Sequence, residues 1–185
     1  MTTALITRRE AAQLSGTSET TVKKAVDARV ISTRRRGAQS WIELEDVAVL
    51  TMLGHLTGLG LQVSHKRRVR DWLRTAKAPR ELVLTPAVVV RKPDDVDAAR
   101  ERAERYVRLR DEWIVRDPEI KNGEPVIKGS RVSVHTLAAR IAAGEDERVL
   151  EEDYPHIPAE AREVAVQYAR ANPRRGRPRR GLARA

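Results

Sequence analysis

At 185 residues, with no Phe and only three Trp and three Tyr, the chain has room for one ordinary domain or two very small ones packed from Leu, Val, Ile and Ala, which argues against a large enzyme pocket. The formal charge of +10 points toward polyanions, but six arginines and no acid lie between Pro173 and the C-terminus, leaving about +4 for everything before. Without cysteine there is no disulfide framework, thiolate zinc site or cysteine nucleophile, and without an apolar run near ~18 residues or a signal peptide the chain is expected to be cytoplasmic, with no membrane partner.

Thr7-Arg8-Arg9-Glu10 is a capping box, and Ala11, Ala12 and Leu14 give the first helix its inner face. Gly16 offers the geometry of a sharp turn, and Ser18 can cap a second helix with Val22, Ala25 and Val26 at helical spacing. Val30-Ile31-Ser32-Thr33 and Ser40-Trp41-Ile42-Glu43-Leu44 alternate like strands around a charged turn, Arg34 to Ala38, and a third helix runs roughly from Glu45 to Leu56 before Gly58 and Gly60.

Residues 64–77 read as a basic helix and 81–92 as two short strands around Thr85-Pro86. Residues 95–111 read as a charged helix, with Glu101/Arg105 and Glu104/Arg108 at i,i+4 spacing, expected to be solvated on most faces and to dock through Val107 and Leu109. Next come Trp113-Ile114-Val115, the turn Lys121 to Pro125, extended segments at Val126-Ile127 and Val132-Ser133-Val134, and helices near 135–143, 146–153 and 158–172. The segment from Pro173 on cannot bury enough apolar surface to fold alone and is expected to be a disordered basic arm.

The expected fold is mainly α: two small helix-turn-helix units, the first winged, joined by a short α/β segment and followed by the arm. The expected boundaries are 1–60, 61–112, 113–172 and 173–185. Two turned helices followed by a basic hairpin suit double-stranded DNA, because a helix fits the major groove while the hairpin reaches the flanking backbone or minor groove. Thr20, Thr21, Lys23 and Lys24 are the candidates on the second helix, and Arg34, Arg35 and Arg36 at the hairpin the candidate phosphate contacts. The blander reading is a trihelical dimerisation or scaffold unit with a solvated arginine turn.

No catalytic, cofactor or metal site is expected. His55, His65, His135 and His156 are scattered without an i,i+4 pair, there is no Gly-rich phosphate loop or nucleophile elbow, and Glu151, Glu152 and Asp153 point in different directions on a helix.

Residues 5–56 resemble the winged helix-turn-helix of the MerR and excisionase group, through Thr-x-x-Glu-Ala-Ala, Ser-Glu-Thr-Thr-Val and Trp-Ile-Glu-Leu-Glu-Asp. Residues 113–172 carry Gly123-Glu124-Pro125-Val126-Ile127-Lys128-Gly129-Ser130-Arg131-Val132-Ser133-Val134, then Ala143-Gly144, then Val149 through Pro155. This resembles the signature of a small bacterial family of unknown function found in VapB-type antitoxins, with Lys128 and Ser130 where that family usually shows Arg and Thr. The resemblance implies a second helix-turn-helix, a homodimer, and a PIN-domain ribonuclease toxin that the chain binds and silences while repressing its own operon through operator DNA. Glu160, Arg162, Glu163 and Gln167 are expected to face outward on the last helix, where the two carboxylates repel phosphate, so the second unit can equally be a dimer or partner platform.

The arm is open to three readings. Arg175-Gly176-Arg177-Pro178, with Arg174, Arg179 and Arg180, resembles an AT-hook for the narrow A·T minor groove. It can also thread into the acidic metal site of a PIN nuclease with arginine forks on carboxylates, or simply solubilise the chain. The alternative to an antitoxin is a stand-alone dimeric transcriptional regulator or architectural protein without a toxin partner.

Overall fold

The fold, taken from a computed structural model, is described for residues 4–37, 39–75 and 78–174. Among them the chain is mainly helical, with eight α-helices and three small antiparallel sheets. It forms two compact units with the boundary between Asp111 and Glu112. No described helix is long and apolar enough to cross a membrane.

The first unit opens with β1 (Leu5–Ile6), α1 (Arg8–Ser15), α2 (Glu19–Asp27), β2 (Thr33–Arg36), β3 (Gln39–Glu43) and α3 (Asp46–His55). The capping box of α1 forms in both directions: Glu10 N donates to Thr7 Oγ1 at 3.2 Å and Thr7 N to Glu10 Oε2 at 2.7 Å. β3 is the middle strand of its sheet, with Ile6 opposite Ile42 on one side and Thr33 opposite Ile42 on the other. α3 is buried almost throughout, from Asp46 to Leu53.

The hairpin differs from the sequence reading by three residues. Val30 and Ile31 do not begin a strand: their N–H groups donate to Ala25 O at 2.9 and 3.3 Å and close the end of α2, and both side chains are buried. The strand therefore starts at Thr33, and Arg34, Arg35 and Arg36 lie on β2 itself rather than in a turn. Gly37, at φ 60°, takes the left-handed conformation after them.

The segment expected to connect two units, 61–112, instead folds against the elements before it. It contains α4 (Val63–Arg74), β4 (Glu81–Thr85), β5 (Val88–Arg91) and α5 (Asp94–Trp113). Arg70 of α4 donates to Val30 O at 3.0 Å, and Arg74 reaches the buried carboxylate of Asp46 at 2.8 Å. Burial holds the Asp46 carboxyl above the usual carboxylate range, against the opposing pull of Arg74. α5 is not mostly solvated either: Val96, Ala99, Ala103, Tyr106, Val107 and Leu109 are all buried. Two of these are alanines, whose weak hydrophobic signal hides the stripe in the sequence while their small size permits close packing.

Tyr106 and Arg110 tie α5 to α1 through one buried carboxylate. Tyr106 OH donates to Glu10 Oε1 at 2.6 Å; Arg110 donates to the same oxygen at 3.3 Å and to Leu5 O at 3.2 Å. Burial works against the Arg110 charge, and Glu10, Asp111 and Tyr106 together more than restore it. Tyr106→Phe removes one hydrogen bond to an ionised acceptor and is expected to cost about 1.5–3 kcal/mol in the unfolding free energy of the first unit, read by urea denaturation. An unchanged midpoint would refute the tie.

The second unit contains β6 (Ile114–Val115), β7 (Val126–Ile127), α6 (Val134–Ala142), α7 (Glu147–Asp153) and α8 (Ala159–Ala171). β6 and β7 pair antiparallel, while the third extended segment is reduced to a single bridge between Val126 and Ser133 because Val134 already starts α6. The core joins Ile127, Val134, Leu137, Leu150, Ile157, Ala161, Ala165 and Tyr168, with Trp113 and Tyr154 partly buried against it. Pro158 caps α8, where its missing donor costs nothing.

Candidate nucleic-acid interface

Two local caps and two contacts distant in sequence position α2. Gly16 ends α1 in the left-handed conformation at φ 67°, and its N–H and that of Thr17 turn back onto Gln13 O and Ala12 O. Ser18 then caps α2 by accepting from Thr21 N at 3.0 Å. Beneath this turn, Thr51 of α3 donates to Ser15 O at 3.2 Å, and Gly54 leaves room for Thr17, whose Cγ2 would stand 2.9 Å from a Cβ at that position. The far end of α2 is held by α4, where Arg67 donates to Ala28 O at 3.0 Å.

So mounted, α2 buries Val22 and Ala25 and exposes Thr20, Lys23, Lys24 and Asp27. Thr21 does not share that freedom: its hydroxyl lies 3.0 Å from Ser18 Oγ within the cap. Glu19 is paired with Arg9 at 3.3 Å. Among the described residues, Lys23 and Lys24 carry no ion pair, so their charge is available to a partner.

All four residues of β2 are exposed. Strand alternation puts Arg34 and Arg36 on one face with Trp41 and Arg35 on the other, so the hairpin presents cations on both sides. Arg34 is engaged: it binds Glu43 at 2.7 Å, and Glu43 also takes Arg74 at 3.2 Å. Arg35 and Arg36 are the two guanidinium groups of the hairpin without an acidic partner among the described residues. Arg29, exposed and left-handed at φ 52°, and Arg67 add cations at the end of α2. The sequence contains Arg67 in its basic helix, but no one-dimensional pattern places it beside a helix 39 residues away.

The charge is divided between the units more sharply than the total suggests. Residues 1–111 hold 22 Lys and Arg against 14 Asp and Glu, whereas 112–172 hold 8 against 12. The mild excess before the arm is thus a basic first unit offset by an acidic second one. In the second unit the buried Arg162, which does not face outward as expected, and the half-buried Arg140 are occupied by structure. Arg162 of α8 donates to Ile157 O at 2.9 Å and pairs with Glu147 and Glu151 of α7 at 3.2 and 2.9 Å. Arg140 of α6 binds Glu145, Asp153 and the Tyr154 hydroxyl, which locks α6 to the end of α7 and holds the Glu145 carboxyl below its usual range. Glu160 and Glu163 lie exposed on α8.

Of the arm residues, Arg174 is described, and it is not free. It donates to Glu124 at 2.7 Å, Ser133 Oγ at 3.2 Å and Thr136 Oγ1 at 3.3 Å. The Glu124 carboxyl is held below the usual range by the Ser133 hydroxyl first and by Arg174 second. His135 beside them is pushed down by burial and then by Arg174, which favours its neutral form. Arg175, Gly176, Arg177, Pro178, Arg179 and Arg180 lie outside the described residues.

Comparison with known proteins places part of the chain. Residues 114–169 match the family described as Protein of unknown function (DUF433). The match spans the second unit from β6 nearly to the end of α8. An uncharacterized protein, y4eO, of Sinorhizobium fredii (strain NBRC 101917 / NGR234) is 40% identical over 86 residues, which is 46% of this chain and 34% of that protein. The chain thus spans about a third of the length of this curated relative. The crystal structure of Rv2018 from Mycobacterium tuberculosis aligns with 86% of this chain and 96% of its own at 18% identity, with a TM-score of 0.39.

Proposed function

We propose that this chain is a DNA-binding regulator whose α1 and α2 act as a helix-turn-helix, with α2 reading the major groove and the β2–β3 hairpin acting as a wing on the flanking phosphates. The observation that carries this reading is the pairing of an exposed Thr20/Lys23/Lys24 face with the unneutralised Arg35 and Arg36 on the next element, in a unit where Lys and Arg outnumber acids by 22 to 14. Thr20 on the groove-facing side supplies a hydrogen-bonding group for base edges, and the cations supply salt-sensitive affinity. The second unit, with its excess of acids and with Glu160 and Glu163 on α8, repels phosphate and serves as a protein-binding platform.

The biological role that fits this division is that of the antitoxin in a type II toxin–antitoxin pair. The second unit and the arm engage a PIN-domain ribonuclease, and the first unit brings the complex to the operator. Support for the toxin comes from the resemblance of residues 113–172 to VapB-type antitoxins. The Arg174 contacts add a root for the arm on the Gly123-Glu124-Pro125 loop, from which Arg175, Arg177, Arg179 and Arg180 can offer forks to the carboxylates of a nuclease metal site.

The test is co-expression with the product of the adjacent reading frame, followed by titration of the purified species with duplex from upstream of the pair. Co-purification, loss of nuclease toxicity and tighter operator binding by the complex support the whole reading. Operator binding with no protein client leaves the stand-alone regulator. No salt-dependent duplex binding by either species overturns both.

A further inference from the structure

The β4–β5 hairpin carries a feature that DNA binding does not use. Lys92 N donates to Arg80 O at 2.9 Å, which sets the phase of the ladder. Leu82 and Val90 then exchange hydrogen bonds, while the Glu81/Arg91 and Val83/Val89 pairs turn their backbone N–H and C=O groups outward. The β4 edge is partly covered, because Arg68 of α4 donates to Val83 O at 2.8 Å and to Leu84 O at 2.6 Å. The β5 edge has no strand beside it among the described residues. There the outward groups of Val89 and Arg91 stand in a run of three valines with no proline or bulge on that strand. Val89 is 54% exposed and its cross-strand mate Val83 is 56% exposed, whereas Val90 is 4% exposed. Proteins guard such edges against strand addition, and the shortness of β5 and its closing Arg91 leave the backbone groups of Val89 uncovered among the described residues.

We propose that β5 is the site where a second copy of this chain adds its own β5, antiparallel, about a two-fold axis through Val90. In that register Val89 of each copy lies opposite the partner's Arg91, four N–H···O bonds close both edges, and two hairpins merge into one four-stranded sheet. Two features fit a second copy in this register. The outward groups of Val89 and Arg91 are self-complementary about the axis, so the same four donors and acceptors serve both sides. Arg91, held on the exposed face by Glu81 at 2.8 Å, brings its aliphatic stem across the exposed Val89 of the other copy, which the chain alone leaves bare.

The experiment is sedimentation velocity on the full chain without DNA, from micromolar concentrations to about 100 µM, since strand pairing of this length makes a small interface. Wild type is expected to dimerise over that range. Val89→Pro removes an N–H that points away from β4, so the hairpin keeps its own ladder and the variant is expected to be monomeric with an unchanged circular dichroism spectrum. Val89→Lys keeps the N–H but sets a like charge opposite the partner's Arg91 twice over, and is expected to weaken the dimer about tenfold. Val89→Glu sets an opposite charge there and is expected to dimerise at least as well as wild type. The charge-sign reversal is what a merely misfolded hairpin would not produce. A monomeric wild type, a Val89→Pro chain that dimerises as wild type does, or a Val89→Glu chain as weak as Val89→Lys overturns the proposal.

Discussion

Replacing Lys23, Lys24, Arg35 and Arg36 together by alanine is expected to lower duplex affinity by about a thousandfold at ~0.1 M salt, with no loss of fold. The magnitude follows from counterion release. Each phosphate contact contributes a slope of about −0.9 to log affinity against log salt, so four contacts flatten the slope by roughly 3.6 units and cost between 10³ and 10⁴ at that ionic strength. The fold should survive because these side chains are exposed and make no ion pair among the described residues. Arg34 is left out for the opposite reason: it is bound to Glu43, which also holds Arg74 of α4, so its removal confounds binding with docking of α4. A fluorescence anisotropy titration at four salt concentrations measures affinity and slope together. A variant with wild-type slope places the DNA contacts elsewhere.

The second large effect concerns the second unit alone. Leu137 is fully buried at the centre of its core, against Ile127, Leu150, Ile157 and Tyr168. Leu137→Ala is expected to cost about 3 kcal/mol, the transfer term plus the cavity left behind. A unit of some sixty described residues has only about 3–9 kcal/mol of stability in total, so the variant sits at the edge of unfolding at room temperature. Trp113 packs on this core while Trp41 and Trp72 belong to the first unit, which separates the two transitions in a urea titration. The phase reported by Trp113 is expected to move to low urea, and the other phase and duplex affinity to persist. Equal shifts of both phases would mean that the units unfold as one.

These two predictions rest on parts of the structure that the sequence discloses unequally. Local chemistry is legible. Thr7 with Glu10, Gly16 and Ser18 announce the start of α1, the turn and the start of α2, and each takes its expected role because capping depends on residues within four positions of one another. The β4–β5 hairpin and α6 to α8 lie within two residues of the expected bounds at nearly every end, since Pro86, Gly144, Pro155 and Pro158 punctuate them.

What is missed is long-range. Glu10 reads as a cap, yet its other oxygen accepts from Tyr106 and Arg110, about a hundred residues on, and no periodicity encodes that pairing. Val30 and Ile31 alternate like the start of a strand but are drawn into the core to close α2, because tertiary burial outweighs a weak extended preference. Of the candidate site, Lys23, Lys24, Arg35 and Arg36 are legible as exposed cations on a helix and a hairpin. The occupation of Arg34 by Glu43 is not, since it follows from a cross-strand neighbour fixed only on folding, whereas the engagement of Thr21 by Ser18 lies within reach of the local cap.

The central claim is that the first unit, through α2 and the β2–β3 hairpin, meets duplex DNA while the second does not. The most direct measurement is an amide chemical-shift titration of the uniformly ¹⁵N-labelled chain with the upstream duplex. Shifts confined to residues 18–29 and 33–40, with residues 145–170 unmoved, are what this account predicts. Shifts concentrated on α7 and α8, with α2 and the hairpin silent, would contradict it.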